Sequence, residues 1–203
     1  SPKVGMGDMI LSKSCENLPT VLDNLINHSK YGLDFEDRIN NAMKEILPST
    51  RRLKTSRDSG GMTLNIQWYF NDIETPFYLD DMSDGTVRML CWAIILHSPI
   101  LPTLLVIDEP ELSLHIAWMR TLAQWIKQAS QKTQIIISTH SPDLLDYFTD
   151  CASDVICFEK AEQKGHFQAK RLPENLLQEK IADGWQLGDL YRIGDDVIGG
   201  WPW

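Results

Sequence analysis

The segment Leu104-Leu105-Val106-Ile107-Asp108-Glu109-Pro110-Glu111 decides the fold. Its first four residues form a continuous apolar run, which is typical of a short strand covered on both faces of a sheet. Apolar runs at 135–137 and 155–158 predict two further strands of the same kind. Between the first two runs lies a helical apolar stripe, made up of Trp118, Leu122, Trp125, Ile126 and Ala129. The order strand, helix, strand predicts βαβ units, and therefore an α/β fold with a parallel sheet.

The amino-terminal third is predicted to contain two helices followed by strands. Apolar residues at helical spacing predict a short helix over 22–26 and a second helix over 35–46. Pro48 is expected to end the second helix, because proline lacks the backbone N–H that the helix needs. Alternating residues over 64–70 predict a half-buried strand, and 78–79 predict another short one.

The basic residues after Pro48 allow two interpretations. The cluster consists of Arg51, Arg52, Lys54 and Arg57. A solvated loop that continues into the turn at 56–61 is one interpretation, and a local contact with nucleic acid or a partner protein is the other. The formal net charge of −9 argues against binding nucleic acid over the whole surface, because phosphates are contacted by Lys and Arg.

Composition and cysteine usage narrow the class of protein. With 203 residues, of which 43% are hydrophobic and 23% charged, the chain is long enough for one sizeable core. No apolar run approaches the roughly 18 residues that a membrane-spanning helix needs, so no membrane partner is expected. The four cysteines form no CxxC pair and have no histidine at zinc-ligand spacing. We therefore expect reduced cysteines in the cytoplasm rather than a zinc site.

Two adjacent carboxylates, Asp108 and Glu109, follow the first apolar strand directly. In parallel sheets, functional groups collect at the carboxyl ends of the strands. A magnesium ion carrying a nucleotide phosphate would account for them, because hard cations prefer oxygen ligands. The alternative is the start of a helix, with an acidic N-cap and Pro110 in the first turn. The residues alone leave both interpretations open.

Two further segments carry the same kind of ambiguity. The first is Ser138-Thr139-His140-Ser141-Pro142, which follows the second strand. Its His140 could donate a hydrogen bond to a phosphate oxygen or a water, or it could be an ordinary loop histidine.

The second is Met82-Ser83-Asp84-Gly85-Thr86, which precedes an apolar helical run. Its small residues predict either an anion site at a helix start or a plain N-cap by Ser83 or Asp84.

The order and spacing of these segments resemble the ABC-type ATPase heads, and within them the RecF/SMC-like and OLD-like ATPases. In that family an LSGGQ-like signature is followed by a Walker B strand ending in Asp-Glu-Pro, a D-loop and a Ser-Thr-His-Ser-Pro H-loop. The corresponding segments here are 82–86, 104–111, 112–115 and 138–142. The resemblance implies a P-loop NTPase fold of ABC type, an amino-terminal helical segment, and ATP with Mg²⁺ as ligands.

The resemblance also implies roles for single residues. Asp108 would orient Mg²⁺ through water. Glu109 would be the general base toward the attacking water, and His140 would sense the γ-phosphate. These two would be the catalytic residues.

The signature and the D-loop would act across a homodimer. Ser83 and Gly85 would contact the γ-phosphate of ATP bound by the opposite subunit, so that ATP is sandwiched between two heads. Asp84 stands where the second signature glycine is usual, and its side chain is expected to point away from the nucleotide. Ser113 would communicate across the dimer.

A phosphate-binding P-loop, GxxxxGK[ST], does not occur in the sequence. The nearest approach is 7–14, where Ser12 replaces the last glycine and no apolar strand precedes the loop. In the resembling family the P-loop lies upstream of the signature. We therefore expect this chain to be the carboxyl-terminal portion of a longer protein, inactive alone, with the amino-terminal P-loop part as its partner.

The implied organisation is a helical segment with a strand over 1–75, the ATPase core over 76–160 and a tail over 161–203. The implied function is a cytoplasmic ATP-hydrolysing switch in DNA repair or defence against foreign DNA, with DNA or an effector nuclease as further partners. The alternative is a non-hydrolysing regulatory module that binds a partner with the same fold. Trp185, Trp201 and Trp203 of the tail could serve ordinary packing or a partner-binding surface.

Overall fold

The computed structural model describes residues 9–58, 61, 63–160, 167–196 and 198. The described residues fall into two compact units. The first unit comprises those up to Val106 together with Ser113–Ile136, and the second comprises Ile107–Leu112 together with those from Ile137 onward. Trp201 and Trp203 lie outside the described residues, and so do residues 7–8 of the segment nearest to a P-loop. Within the described part, no helix combines the length and apolarity needed to cross a membrane.

The first unit opens with two helices, α1 (Leu18–Asn27) and α2 (Gly32–Ile46), in agreement with the sequence prediction. The buried face of α2 follows helical spacing and consists of Phe35, Ile39, Asn40, Ala42, Met43 and Ile46. Helix α2 ends just before Pro48, because proline cannot continue the hydrogen-bond ladder.

An antiparallel sheet follows, with strands β1 (Thr50–Arg57), β2 (Leu64–Phe70) and β3 (Phe77–Tyr78) in that order. The loop expected over the basic cluster is therefore wrong, since Arg51, Arg52, Lys54 and Arg57 all lie on strand β1. Burial of Leu53 stabilises this strand, because Leu53 is fully buried and pairs with the buried Trp68 of β2. A single apolar residue among cations gives no alternating pattern, which is why the sequence did not predict this strand.

The side chain of Asn40 links helix α2 to strand β1. Its Oδ1 accepts a hydrogen bond of 2.8 Å from the buried N–H of Leu53, and its Nδ2 donates to the carbonyl of Glu36 at 2.9 Å. We expect Asn40→Ala to lower the free energy of unfolding by about 1–3 kcal/mol, because the Leu53 N–H would stay buried without a partner. Urea unfolding followed by far-UV circular dichroism measures this, with exposed Asn71→Ala as the control. Equal stability of the two variants would contradict the assigned role.

The remaining helices of the first unit are α3 (Asp84–Leu96) and α4 (Met119–Ser130). Both bury an apolar face, which in α4 includes Leu122, Trp125 and Ile126 as predicted. Trp118 is not part of α4, because it ends a short 3-10 helix at Ile116–Trp118.

Strands β4 (Leu104–Asp108) and β5 (Gln134–Ser138) form a two-stranded sheet. Backbone bonds join Gln134 N to Thr103 O (3.2 Å) at the start of the strands and Glu109 N to Ser138 O (2.9 Å) at their ends. The strands are therefore parallel, as the βαβ pattern predicted. The expectation that both faces are covered is wrong for the described residues, because alternate apolar side chains are exposed: Leu104, Val106 and Ile136.

The second unit contains α5 (Pro142–Asp146), β6 (Ile156–Lys160), β7 (Phe167–Arg171), α6 (Glu174–Ala182) and α7 (Leu187–Arg192). Strand β6 pairs antiparallel with β7, so the run at 155–158 is not a strand of the parallel pair and is not covered on both faces. Phe158 is largely exposed. The core of this unit consists of Ala152, Leu172, Leu177, Leu187, Leu190 and Ile198.

Candidate functional site

Hydrogen bonds join the carboxyl ends of β4 and β5 and the residues that follow them. The backbone bond from Glu109 N to Ser138 O continues the strand ladder past the end of β4. The hydroxyl of Ser138 donates to the Asp108 carboxylate, and Thr139 Oγ1 donates to Glu111 Oε1 at 2.5 Å. The two loops are therefore held together at the carboxyl edge of the parallel strands, where the sequence placed the candidate site.

Glu109 and His140 face each other across these loops. The distance from His140 Nε2 to Glu109 Oε1 is 3.9 Å, and the exposed fractions of the two side chains are 74% and 34%. Both groups are thus open to solvent and close enough to act on one water or one phosphate oxygen. The structure brings together the two residues that the resemblance implied to be catalytic.

The backbone of Glu109 is strained, with a φ of 44°, in the left-handed region that non-glycine residues rarely adopt. Such a conformation costs on the order of 1–3 kcal/mol and persists where the surroundings determine it. Residues 110–113 then form a turn, and α4 begins only at Met119. The alternative in which Pro110 lies in the first turn of a helix is therefore wrong.

The donor atoms at this edge suit a hard cation. Asp108, Glu109 and Glu111 contribute carboxylates, and Ser138 and Thr139 contribute hydroxyls. Within the described ranges, Glu111 Oε2 is buried and has no hydrogen-bond partner. The same residues include no group of three His, Cys, Asp or Glu side chains arranged to hold a metal. Mg²⁺ needs no such group, because it usually takes one or two carboxylates and completes its shell with water and phosphate oxygens.

The signature segment forms the start of α3 in the first unit. Ser83 is the N-cap: its Oγ accepts from Thr86 N at 3.2 Å and lies 2.8 Å from Thr86 Oγ1. Asp84 is the first helical residue and is exposed, with its carboxylate at the positive end of the helix dipole. The N-cap interpretation is confirmed in its Ser83 form, and anion binding at the same turn stays a prediction.

Gly85 packs against the segment that contains Ser113. A Cβ atom at Gly85 would lie 3.0 Å from the Ser113 carbonyl oxygen and 3.2 Å from Trp118 Cζ3, so a larger residue would push these neighbours away. Ser113 itself has a φ of 62°, in the left-handed region. The structure thus brings Ser83, Asp84, Gly85 and Ser113 together in one part of the first unit.

Three residues of the loops were quoted within motifs but not predicted as site residues: Glu111, Ser138 and Thr139. Their hydrogen bonds hold the Asp108–Glu109 and His140 segments in register. A signal existed in the sequence, because all three lie within a few residues of the ends of the two predicted parallel strands. Which hydroxyl pairs with which carboxylate depends on the strand register, which the sequence does not specify.

The fold is similar to that of solved SMC heads. An SMC ATPase from work on ATP-driven dimerization and DNA-stimulated activation is 15% identical, with a TM-score of 0.50 over 73% of this chain and 89% of that chain. The Smc head bound to the C-winged helix domain of ScpA is 15% identical, with a TM-score of 0.54 over 78% and 51%. The Pyrococcus furiosus Smc head bound to the C-terminal domain of ScpA is 16% identical, with a TM-score of 0.53 over 84% and 44%. This chain therefore spans about half or less of the latter two chains.

These similarities confirm the predicted α/β fold of P-loop NTPase type and its resemblance to ABC-type, SMC-like heads. At such identities they concern the fold alone, and the OLD-like part of the resemblance stays a prediction. No curated protein sequence matches the chain. A family model described as "AAA domain, putative AbiEii toxin, Type IV TA system" matches residues 16–146. Because this match covers more than half of the 203 residues, the chain belongs to that AAA domain family.

Proposed function

We propose that this chain is the signature-bearing and base-bearing part of an ATP-hydrolysing switch of ABC type. The observation that carries the proposal is the approach of His140 Nε2 to Glu109 Oε1, 3.9 Å apart at the carboxyl edge of two parallel strands. A carboxylate and an imidazole in this position can share one reacting water, the first as its base and the second as a hydrogen-bond donor.

Residues of this chain would have the following roles in ATP hydrolysis. Glu109 takes a proton from the water that attacks the γ-phosphate of ATP, and His140 donates a hydrogen bond that orients that water or the phosphate. Asp108, which accepts a hydrogen bond from the Ser138 hydroxyl, would hold the Mg²⁺ that accompanies ATP. When bound, Mg²⁺ neutralises the charge that develops on the phosphate oxygens.

The signature segment, 82–86, would contact ATP bound by a second subunit. Ser83 and Gly85 lie at the start of α3, where the positive end of the helix dipole favours a phosphate. We propose that this turn contacts ATP held by the opposite subunit of a homodimer and that Ser113, packed on Gly85, transmits contacts across it. The similarity to an SMC ATPase described by ATP-driven dimerization supports this arrangement.

The P-loop would come from a segment that precedes the signature. The exposed apolar face of the parallel strands supports this, because Val106 is 66% exposed and Ile136 50%. We propose that the P-loop part of the same protein covers this face. The proposed organisation keeps the segments 1–75, 76–160 and 161–203, with the middle one as the ATPase core.

The setting we propose is cytoplasmic, in DNA repair or defence against foreign DNA, with DNA or an effector nuclease as further partners. The DNA-stimulated activation described for an SMC ATPase supports a DNA partner. The family description as a putative toxin of a toxin–antitoxin system supports a defence-type setting. An OLD-like relationship belongs to the same proposal.

We expect the chain alone to show little or no ATP hydrolysis, because it contains no GxxxxGK[ST] to enclose the phosphates. Mg²⁺-dependent phosphate release should appear when the chain is produced together with a P-loop-bearing segment encoded upstream of it. Robust turnover by the chain alone would contradict the assignment of a composite site. A well-folded combined protein without turnover would favour the alternative, a non-hydrolysing module that binds a partner.

A further inference from the structure

Helix α7 is tied to helix α5 by one arginine. Arg192, the last residue of α7, reaches Asp143 Oδ1 with Nη2 at 2.5 Å, and Asp146 Oδ2 with Nη1 at 3.1 Å. Both aspartates lie on α5. The same Nη1 is 3.0 Å from Asp189 Oδ1, within α7. A guanidinium is suited to this task, because its planar fork presents several donors in fixed directions.

A glycine allows the two helices to come this close. A Cβ atom at Gly188 would lie 2.0 Å from the carbonyl oxygen of Pro142 and 2.3 Å from Asp146 Oδ1, distances that no side chain can occupy. On its other side α7 is anchored in the core of the second unit, where Leu187 and Leu190 are fully buried. Helix α7 is therefore packed both on that core, which Leu145 of α5 also contacts, and on α5 itself.

Helix α5 depends on such contacts for its position. It has five residues, far fewer than a helix needs to persist without packing. Its N-cap is Ser141, whose Oγ accepts from Leu144 N at 3.2 Å and whose N–H donates to Thr139 Oγ1 at 3.0 Å. His140 lies between these two residues. Its ring is mostly exposed, so the backbone of 139–142 decides where the side chain starts and how near the ring can come to Glu109.

We propose that Arg192 and Gly188 are positioning residues for His140: helix α7 holds helix α5, and thereby keeps the imidazole within reach of the Glu109 carboxylate. This proposal rests on the proposed function, in which Glu109 and His140 work as a pair. Neither Arg192 nor Gly188 touches the reacting groups in this arrangement.

The test is a double-mutant cycle read by NMR on the chain itself, with histidine rings isotopically labelled. The Glu109→Gln change should move the ring signal of His140, because it removes a charge 3.9 Å from Nε2. His140→Gln identifies that signal. We expect the same Glu109→Gln change to have little effect on His140 in the Arg192→Ala background, because the ring is then no longer held near the carboxylate. Arg192→Lys, which keeps the charge but loses the fork, should retain part of the effect.

Two further variants separate positioning from general loss of structure. Gly188→Ala should abolish the coupling without changing any charge, since the added methyl group pushes α7 away from α5. Lys180→Ala removes the ion pair between Lys180 of α6 and Asp195, which includes no residue of α5, and should leave the coupling unchanged. Circular dichroism shows whether each variant is folded. If Arg192→Ala unfolds, Arg192→Lys and Gly188→Ala decide the question.

The proposal is overturned if folded Arg192→Ala and Gly188→Ala variants keep the full effect of Glu109→Gln on His140. It is also overturned if Lys180→Ala abolishes that effect equally, or if Glu109→Gln never moves the His140 signal. The measurement involves neither ATP nor turnover. Failure of the ATPase proposal therefore shows in hydrolysis assays alone, whereas failure of the positioning proposal shows in the NMR coupling alone.

Discussion

Replacing Glu109 by Gln is expected to lower ATP turnover by a factor of about 10²–10⁴ in a protein that combines this chain with a P-loop segment. Glutamine keeps the size of the side chain and its unusual backbone position but cannot accept the proton of the attacking water. ATP binding and ATP-dependent dimerization should persist, because the base is not needed for either. Phosphate release, nucleotide titration and light scattering on the same preparation measure the three properties.

The matched control for this prediction is Glu179→Gln. Glu179 lies on α6 in the same unit and is exposed, so the substitution removes the same charge on an element that contributes no residue to the candidate site. It should leave turnover unchanged. If Glu109→Gln hydrolyses ATP as fast as Glu179→Gln does, Glu109 is not the base. If neither variant nor the parent hydrolyses ATP, the non-hydrolysing partner-binding module becomes the better description.

Replacing Trp68 by Ala should lower the free energy of unfolding of the first unit by about 3–5 kcal/mol. Trp68 is fully buried on strand β2, and its ring is stacked near Phe70 with centroids 6.2 Å apart. Its Nε1 donates a 3.0 Å hydrogen bond to the buried hydroxyl of Thr50 on β1. Alanine would leave both a cavity and an unpaired hydroxyl. Urea unfolding monitored by far-UV circular dichroism measures the loss.

Two variants separate the contributions at Trp68. Trp68→Phe keeps an aromatic ring but loses the hydrogen bond to Thr50, so it should cost less than Trp68→Ala. Trp185→Ala removes a tryptophan that is 41% exposed and should have a small effect. A Trp68→Ala variant as stable as Trp185→Ala would show that the sheet of the first unit does not depend on this contact.

Some elements could be predicted because their cause is local. Helix α2 shows helical spacing of apolar residues and a proline at its end, and the structure has it at Gly32–Ile46. Strand β1 could not be predicted, because Leu53 is its one buried apolar residue and is buried against Trp68 of another strand. The exposure of Val106 could not be predicted either, because an apolar run does not show whether other elements cover both faces of the strand.

The sequence by itself determined where the candidate residues lie, because Asp108-Glu109 and His140 each come at the end of an apolar run that predicts a strand. Polar residues at the end of a predicted strand can be located from local sequence alone. Only the tertiary structure decided which residues contact each other. The hydrogen bond from Thr139 to Glu111 depends on the register of two strands. The ion pairs between Arg192 and α5 depend on how helices α5 and α7 pack. Register and packing join residues distant in the chain through contacts that no local pattern encodes.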